Sequence, residues 1–88
     1  MNHIFLAALI LDKVELDSHF VLKANFLDTR QKSQRQNNLI YIFVWKASSK
    51  GVNSIEIGNK ILFEGSLRSR KNSNKFFLSS EKFYEILT

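Results

Sequence analysis

The chain has no cysteine, no proline and only three glycines among its 88 residues. Without cysteine it forms no disulfide, and it offers neither a thiol nucleophile nor a cysteine-ligated zinc site. The three glycines lie too far apart for a phosphate-cradling loop. No proline-rich or serine-rich linker, internal repeat or low-complexity tail interrupts the sequence, so we expect residues 1–88 to fold as one domain.

Long hydrophobic runs are also absent. The longest uncharged apolar run, residues 4–11, is about half the roughly 20 residues that a membrane-spanning helix needs. No Lys or Arg precedes this run and acidic residues follow it, which is not the pattern of a secretory signal. We therefore predict that the run is part of the folded structure and spans no membrane.

Side chains suited to catalysis are scarce. The two histidines, His3 and His19, have no metal ligand or nucleophile at a recognisable spacing. The acids within residues 12–17 are oxygen ligands that a divalent cation accepts, but such a cluster is more typical of a solvated turn. We predict no enzymatic activity, no metal and no cofactor.

Hydrophobic residues recur mostly with a period of two, which predicts β-strands. The predicted strands cover residues 4–14, 20–28, 39–45, 60–67 and 76–80, with the last one extending to residue 87 in a longer interpretation. Gly65 predicts a bulge or sharp coiling in the fourth strand. This order, with room for one short helix between the third and fourth strands, predicts an all-β fold: a five-stranded Greek-key barrel of the OB-fold type.

The first predicted strand, residues 4–14, is apolar on both of its faces. A chain of this length buries a modest part of its surface, so it cannot easily cover both faces from within. Such a strand is either buried on both sides or used in subunit pairing. We predict at least a homodimer through this strand.

Positive charge is concentrated in two segments. The net charge of the chain is +5. Residues 29–50 contain five Lys or Arg and no acid, residues 66–75 contain four and no acid, and residues 1–28 carry a net charge of −2. This clustering favours an acidic polymer as the partner, nucleic acid before an anionic membrane surface, over an ordinary solvated surface. We predict nucleic acid and no membrane partner.

The third strand interleaves aromatic and aliphatic residues. If the aliphatic set fills the barrel, Tyr41 and Trp45 lie outside it, beside Lys23, as rings on which unpaired bases stack. The competing interpretation places these rings in the core or in a subunit interface. The candidate nucleic-acid-binding residues are Lys23, Arg30, Lys32, Arg35, Tyr41, Trp45, Arg68, Arg70, Lys71, Lys75 and Phe76.

Four segments resemble the OB-fold domain of the bacterial single-stranded-DNA-binding protein family, which has plastid-encoded and primosomal relatives. The segments are MNHIFLAALI, FVLKANFLDT, LIYIFVWK and IGNKILFEGSLRSRK, in the order of that family's first four strands. The resemblance implies binding of single-stranded DNA without marked sequence preference, service in replication or repair, and assembly as a homodimer or homotetramer through first strands. It also implies stacking by Trp45 and phosphate contacts from Arg68, Arg70 and Lys71.

Two alternatives to a single-stranded DNA ligand stay open. One is RNA, because stacking and phosphate contacts barely distinguish the two sugars. The other is a protein-assembly subunit without strong nucleic-acid binding, which is favoured by Leu39 and Asn72 at positions where many members of the family have Trp. The abundance of Lys, Asn, Ile and Phe is typical of AT-rich coding sequence, and with the resemblance it predicts a plastid or bacterial cytoplasmic location.

Overall fold

The computed structural model describes residues 3–26, 39–47, 51–69 and 76–86. The described elements, in chain order, are β1 (Ile4–Glu15), β2 (His19–Phe26), β3 (Leu39–Trp45), a 3-10 turn (Val52–Ser54), β4 (Lys60–Ser69) and β5 (Phe76–Glu85). The sequence leaves room for a short helix between the third and fourth strands. In that segment the described residues contain only the 3-10 turn. Across these ranges, no helix is long and apolar enough to cross a membrane.

The strands close into a barrel in the order β1-β2-β3-β5-β4. Each neighbouring pair is antiparallel except β3 and β5, which run parallel. This connectivity is that of the five-stranded Greek-key OB-fold barrel, so the predicted fold class is confirmed. Because β5 inserts between β3 and β4, its first residues lie beside the aromatic third strand.

Alternate residues of the strands fill the barrel interior. In β3 the aliphatic residues point into the barrel, which is the first of the two interpretations offered by the sequence, and β2 alternates in the same way. The most deeply buried hydrophobic side chains are Ala8, Ile10, Phe20, Leu22, Ala24, Ile42, Val44, Ile55, Ile61, Phe63 and Leu78. Removal of this apolar surface from water is the main force that holds the barrel closed.

Lys13 covers one end of the barrel. A register shift after Ile10 turns β1, so that Lys13 pairs with the inward-facing Leu22 of β2. The Lys13 Nζ donates a hydrogen bond to the carbonyl oxygen of Ile55 at 2.8 Å and lies 4.8 Å from the centroid of the Phe20 ring. The aliphatic part of the Lys13 side chain thus packs against the core, and its ammonium group lies between the Phe20 ring and the Ile55 carbonyl oxygen.

The hydrogen-bonding edges of β1 are largely occupied. Residues 8–15 pair with β2, and residues 4–9 pair with β4. Leu6 packs against the core, whereas Phe5 is 61% exposed on the outer face. Association through β1 would therefore use side chains on its outer face and not a new strand pairing along most of its length.

Gly65 marks a close approach of β4 and β5. The register between the two strands shifts between Glu64 and Gly65, which confirms the predicted bulge. A Cβ atom on Gly65 would overlap the carbonyl oxygen of Ser79 and would lie 2.9 Å from the Cα of Ser80. These obstructing atoms belong to the backbone and cannot rotate away, so a side chain here would force the strands apart.

Replacement of Gly65 by Ala should lower the free energy of unfolding by about 1–3 kcal/mol, because the new methyl group overpacks the β4–β5 contact. Ser66→Ala, at the next position of β4, is the control and should stay within about 0.5 kcal/mol of the parent. Urea denaturation followed by circular dichroism measures both variants. A Gly65→Ala protein as stable as the parent would contradict the close approach.

Candidate nucleic-acid interface

The outer face of β2 and β3 carries the aromatic residues that the sequence analysis singled out. His19 pairs with Trp45, Val21 with Phe43, and Lys23 with Tyr41. Tyr41 and Trp45 are 46% and 43% exposed, since the aliphatic residues between them point into the barrel. Their predicted position outside the barrel is confirmed, and their contact with a ligand stays a prediction.

One row of side chains crosses four strands on this face, and we call it the cross-sheet row. Lys23 of β2 pairs with Tyr41 of β3, which pairs with Phe77 of β5. Arg68 of β4 completes the row opposite Phe77. A cation therefore stands at each end of the row, with two aromatic rings between them.

Four rings on the same outer surface form a second feature, the ring ladder of Trp45, His19, Phe43 and Phe77. The Phe43 centroid lies 4.4 Å from that of Phe77, with 30° between the planes, and 5.2 Å from that of His19, with 19° between the planes. Trp45 follows at 4.9 Å from His19, tilted by 47°. Because Phe43 has stacked neighbours on both sides, the ring surface open to a ligand lies at the ends of the ladder.

The predicted site residues divide into three groups. Lys23, Tyr41 and Arg68 meet in the cross-sheet row, with Trp45 on the same outer surface. Phe76 is 57% exposed opposite Ser69, but it alternates with Phe77 and therefore points to the other side of β5. The remaining predicted residues lie outside the described part of the chain, and they are Arg30, Lys32, Arg35, Arg70, Lys71 and Lys75.

Sequence reasoning missed two members of this surface, Phe77 and His19. The signal for His19 was available, because an antiparallel pairing of the second and third strands places it opposite Trp45. Phe77 follows the basic loop together with Phe76, and only Phe76 is among the predicted site residues. Its place beside Tyr41 depends on the parallel β3–β5 pairing, which no local pattern encodes.

Lys46 and Glu15 form an ion pair next to Trp45, with 2.8 Å between Lys46 Nζ and Glu15 Oε2. The hydrogen bond and the charge of Lys46 lower the pKa of Glu15, with a smaller contribution from the charge of Lys13. The carboxylate is thus ionised at neutral pH, and its stabilising contribution is lost only as the pH falls through this lowered pKa. Solvent screening keeps that contribution small, because Glu15 is exposed.

The acids within residues 12–17 are of the kind that a divalent cation accepts as oxygen ligands. In the described ranges, no three His, Cys, Asp or Glu side chains are grouped so that they could hold a metal ion. The Asp12 carboxylate instead accepts a hydrogen bond from the Lys13 backbone N–H at 2.8 Å.

No protein-family model matches the chain, and no curated protein matches it in sequence. Among solved structures, the chain is similar to a chain in the crystal structure of the S. pombe Stn1–Ten1 complex, with a TM-score of 0.70 and 17% sequence identity. The similarity covers 98% of this protein, which spans 59% of the length of that chain. At this identity the likeness establishes a shared fold alone. The resemblance to the bacterial family stays a prediction.

The ring ladder should stabilise the fold by itself, and a double-mutant cycle measures this. Phe43→Ala and Phe77→Ala should show a coupling of about 0.5–1.5 kcal/mol in the free energy of unfolding, because each single change removes the same ring contact. Phe43→Ala combined with Phe5→Ala is the control pair, since Phe5 lies on β1, and the two effects should add. Additive effects for Phe43 and Phe77 would show that their stacking contributes nothing.

Proposed function

We propose that this protein binds single-stranded nucleic acid, with single-stranded DNA as its ligand and little preference for base sequence, and that it catalyses no reaction. The observation that supports this most strongly is the cross-sheet row, in which Lys23 and Arg68 flank Tyr41 and Phe77. OB-fold barrels commonly receive oligonucleotides on the face formed by their second and third strands, which is the face that carries this row.

The rings and the cations would have separate tasks. Bases would stack on Tyr41 and Trp45, and such stacking tolerates any sequence because every base has a π-face. Lys23 and Arg68 would neutralise phosphates at the two edges of the row. Neither β2 nor β3 contains Asp or Glu, so no carboxylate of these strands opposes a polyanion.

Unpaired strands suit this surface better than a duplex, because a duplex hides the base faces that the rings would contact. RNA offers the same faces and phosphates, and its 2′-hydroxyl is the group that a protein uses to distinguish it. The choice of DNA, and of a role in replication or repair in a plastid or the bacterial cytoplasm, rests on the resemblance to the single-stranded-DNA-binding family.

A second outer surface supports self-association as part of this function. Ala7 of β1 pairs with Leu62 of β4, which pairs with Tyr84 of β5, and Phe5 stands beside them. The carboxylate of Glu64 on this face is engaged by His3 Nε2 at 2.9 Å and by the Tyr84 hydroxyl at 3.1 Å. With that carboxylate hydrogen-bonded, the exposed Phe5 and Tyr84 rings suit the face to an apolar contact with a second copy. The face lies on β1 and β4, away from β2 and β3, so a dimer would leave the rings free.

Binding is tested with Trp45, the single tryptophan of the chain. An unstructured oligodeoxynucleotide of roughly 30–40 bases should change its fluorescence on titration. Trp45→Ala, followed with a labelled oligonucleotide, should cost roughly 1–3 kcal/mol per base lost and leave the salt dependence nearly unchanged. The triple Ala variant of Arg68, Arg70 and Lys71 should flatten the plot of log affinity against log salt by about two units, from a slope near 0.7 per phosphate contact.

Ile57→Ala is the control for Trp45→Ala, since it shortens an exposed large apolar side chain that belongs neither to the ring ladder nor to the β1 face, and it should leave affinity unchanged. Competition with matched RNA and duplex DNA identifies the preferred ligand. An unchanged Trp45 signal together with a triple variant that keeps the parent salt slope would contradict nucleic-acid binding and favour the assembly-subunit alternative.

Self-association is tested by sedimentation velocity at micromolar concentration. The parent should sediment as a dimer or larger, and Phe5→Glu should sediment as a monomer, because the new carboxylate would be buried against an apolar face. Val14→Glu is the control, since Val14 is another exposed apolar residue of β1 that pairs with β2 instead of β4. A monomeric parent, or a Phe5→Glu protein with the parent mass, would contradict the dimer.

A further inference from the structure

Lys46 occupies a fixed position next to the exposed end of the ring ladder. It follows Trp45 directly, and its backbone N–H donates to the carbonyl oxygen of Ser18 at 3.1 Å. Its Nζ lies 5.2 Å from the centroid of the Phe20 ring and 2.8 Å from Glu15 Oε2. The turn between β1 and β2 and the end of β3 thus hold this ammonium group over the buried Phe20 ring, one residue along the chain from Trp45.

The contact between Lys46 and Glu15 is open to exchange. The two side chains are 32% and 64% exposed, so water and ions reach both partners. Exposed ion pairs contribute little net free energy, and replacing one anionic oxygen by another at the ammonium therefore costs little. A carboxylate and a phosphodiester offer the same charged oxygen acceptor to a lysine.

We propose that Lys46 binds a phosphate of the strand stacked on Trp45. Glu15 forms an ion pair with the Lys46 ammonium group until a phosphodiester displaces the carboxylate. The inference rests on the proposed function and adds a contact to it. A nucleotide whose base covers Trp45 would bring its phosphates within reach of Lys46, which follows Trp45 directly in the chain and whose long side chain would turn from Glu15 toward them. Lys13, whose Nζ lies over the same Phe20 ring, adds positive potential at this end of the barrel.

Glu15 then acts as an internal competitor of the ligand. This carboxyl group is ionised at neutral pH, and the hydrogen bond from Lys46 lowers its pKa further below the ordinary value. Each binding event has to break this pair and leave the Glu15 charge near the incoming strand. Removal of the carboxylate charge should therefore strengthen binding, and removal of the ammonium charge should weaken it.

The test uses the full chain and a labelled unstructured oligodeoxynucleotide of roughly 30 bases, with affinity measured across a salt series. Lys46→Met keeps the aliphatic stem over Phe20 and should reduce the slope of log affinity against log salt by about 0.7. Lys46→Arg should keep the parent slope. Lys60→Met, at an exposed position on β4, is the control for loss of one charge and should also keep it.

The carboxylate side is tested in parallel. Glu15→Gln should raise affinity roughly two- to fivefold at low salt, because the ammonium is released. Asp17→Asn is the matched control, since it removes the same charge from the same turn without an ion pair to Lys46, and it should have a smaller effect. In the double variant of Glu15→Gln with Lys46→Met the gain should disappear.

The outcomes separate the two levels of the proposal. A parent protein that binds no oligonucleotide overturns the proposed function, and this inference with it. A parent that binds, while Lys46→Met keeps the parent slope or Glu15→Gln gains no more than Asp17→Asn, overturns this inference alone. Thermal unfolding of each variant shows that a loss of affinity is not a loss of fold.

Discussion

Closure of a five-stranded barrel by a short chain is the constraint on which the rest of this structure depends. Strands must tilt and coil strongly to close so small a barrel, and the contact of Gly65 with the Ser79 backbone permits this coiling between β4 and β5. Beyond the register shift, the first residues of β5 pair with β4 on one side and, in parallel orientation, with β3 on the other. Phe77 thereby meets Phe43, and an aromatic surface forms from two distant parts of the sequence.

The small interior also determines what remains outside. Of the eight phenylalanines, Phe20 and Phe63 are buried in the barrel, and the others lie partly or largely at its surface. The outer rings do not spread evenly, because β2, β3 and the start of β5 carry the ring ladder, while β1 and the end of β5 carry Phe5 and Tyr84. The two apolar surfaces use different residues of the barrel, so under the proposed function a ligand and a second subunit would not compete for the same side chains.

The sequence predicted those features that depend on neighbouring residues. Period-two alternation separated Ile42 from Tyr41, because adjacent side chains of a strand point to opposite faces, but it left open which face fills the barrel, and the structure places Ile42 inside. The bulge at Gly65 was also visible, since glycine inside a strand is unusual without a reason of this kind. The partner of Phe77 was not visible, because the pairing of β3 with β5 joins residues far apart in the chain. Phe76 was chosen in its place for its position after the basic loop, and alternation turns it away from the rings.

The chemistry of the outer surface explains why a ligand would be held without reading its base sequence. Reading requires hydrogen-bond donors and acceptors aimed at base edges, whereas stacking on rings such as Tyr41 and Trp45 uses the face that every base has. Rings that are already stacked on one another lose little freedom when a base joins them, so the ladder lowers the entropic cost of binding. Under the proposed function, such a surface would recognise an unpaired, flexible polyanion as a class and would hold each sequence of that class with similar strength.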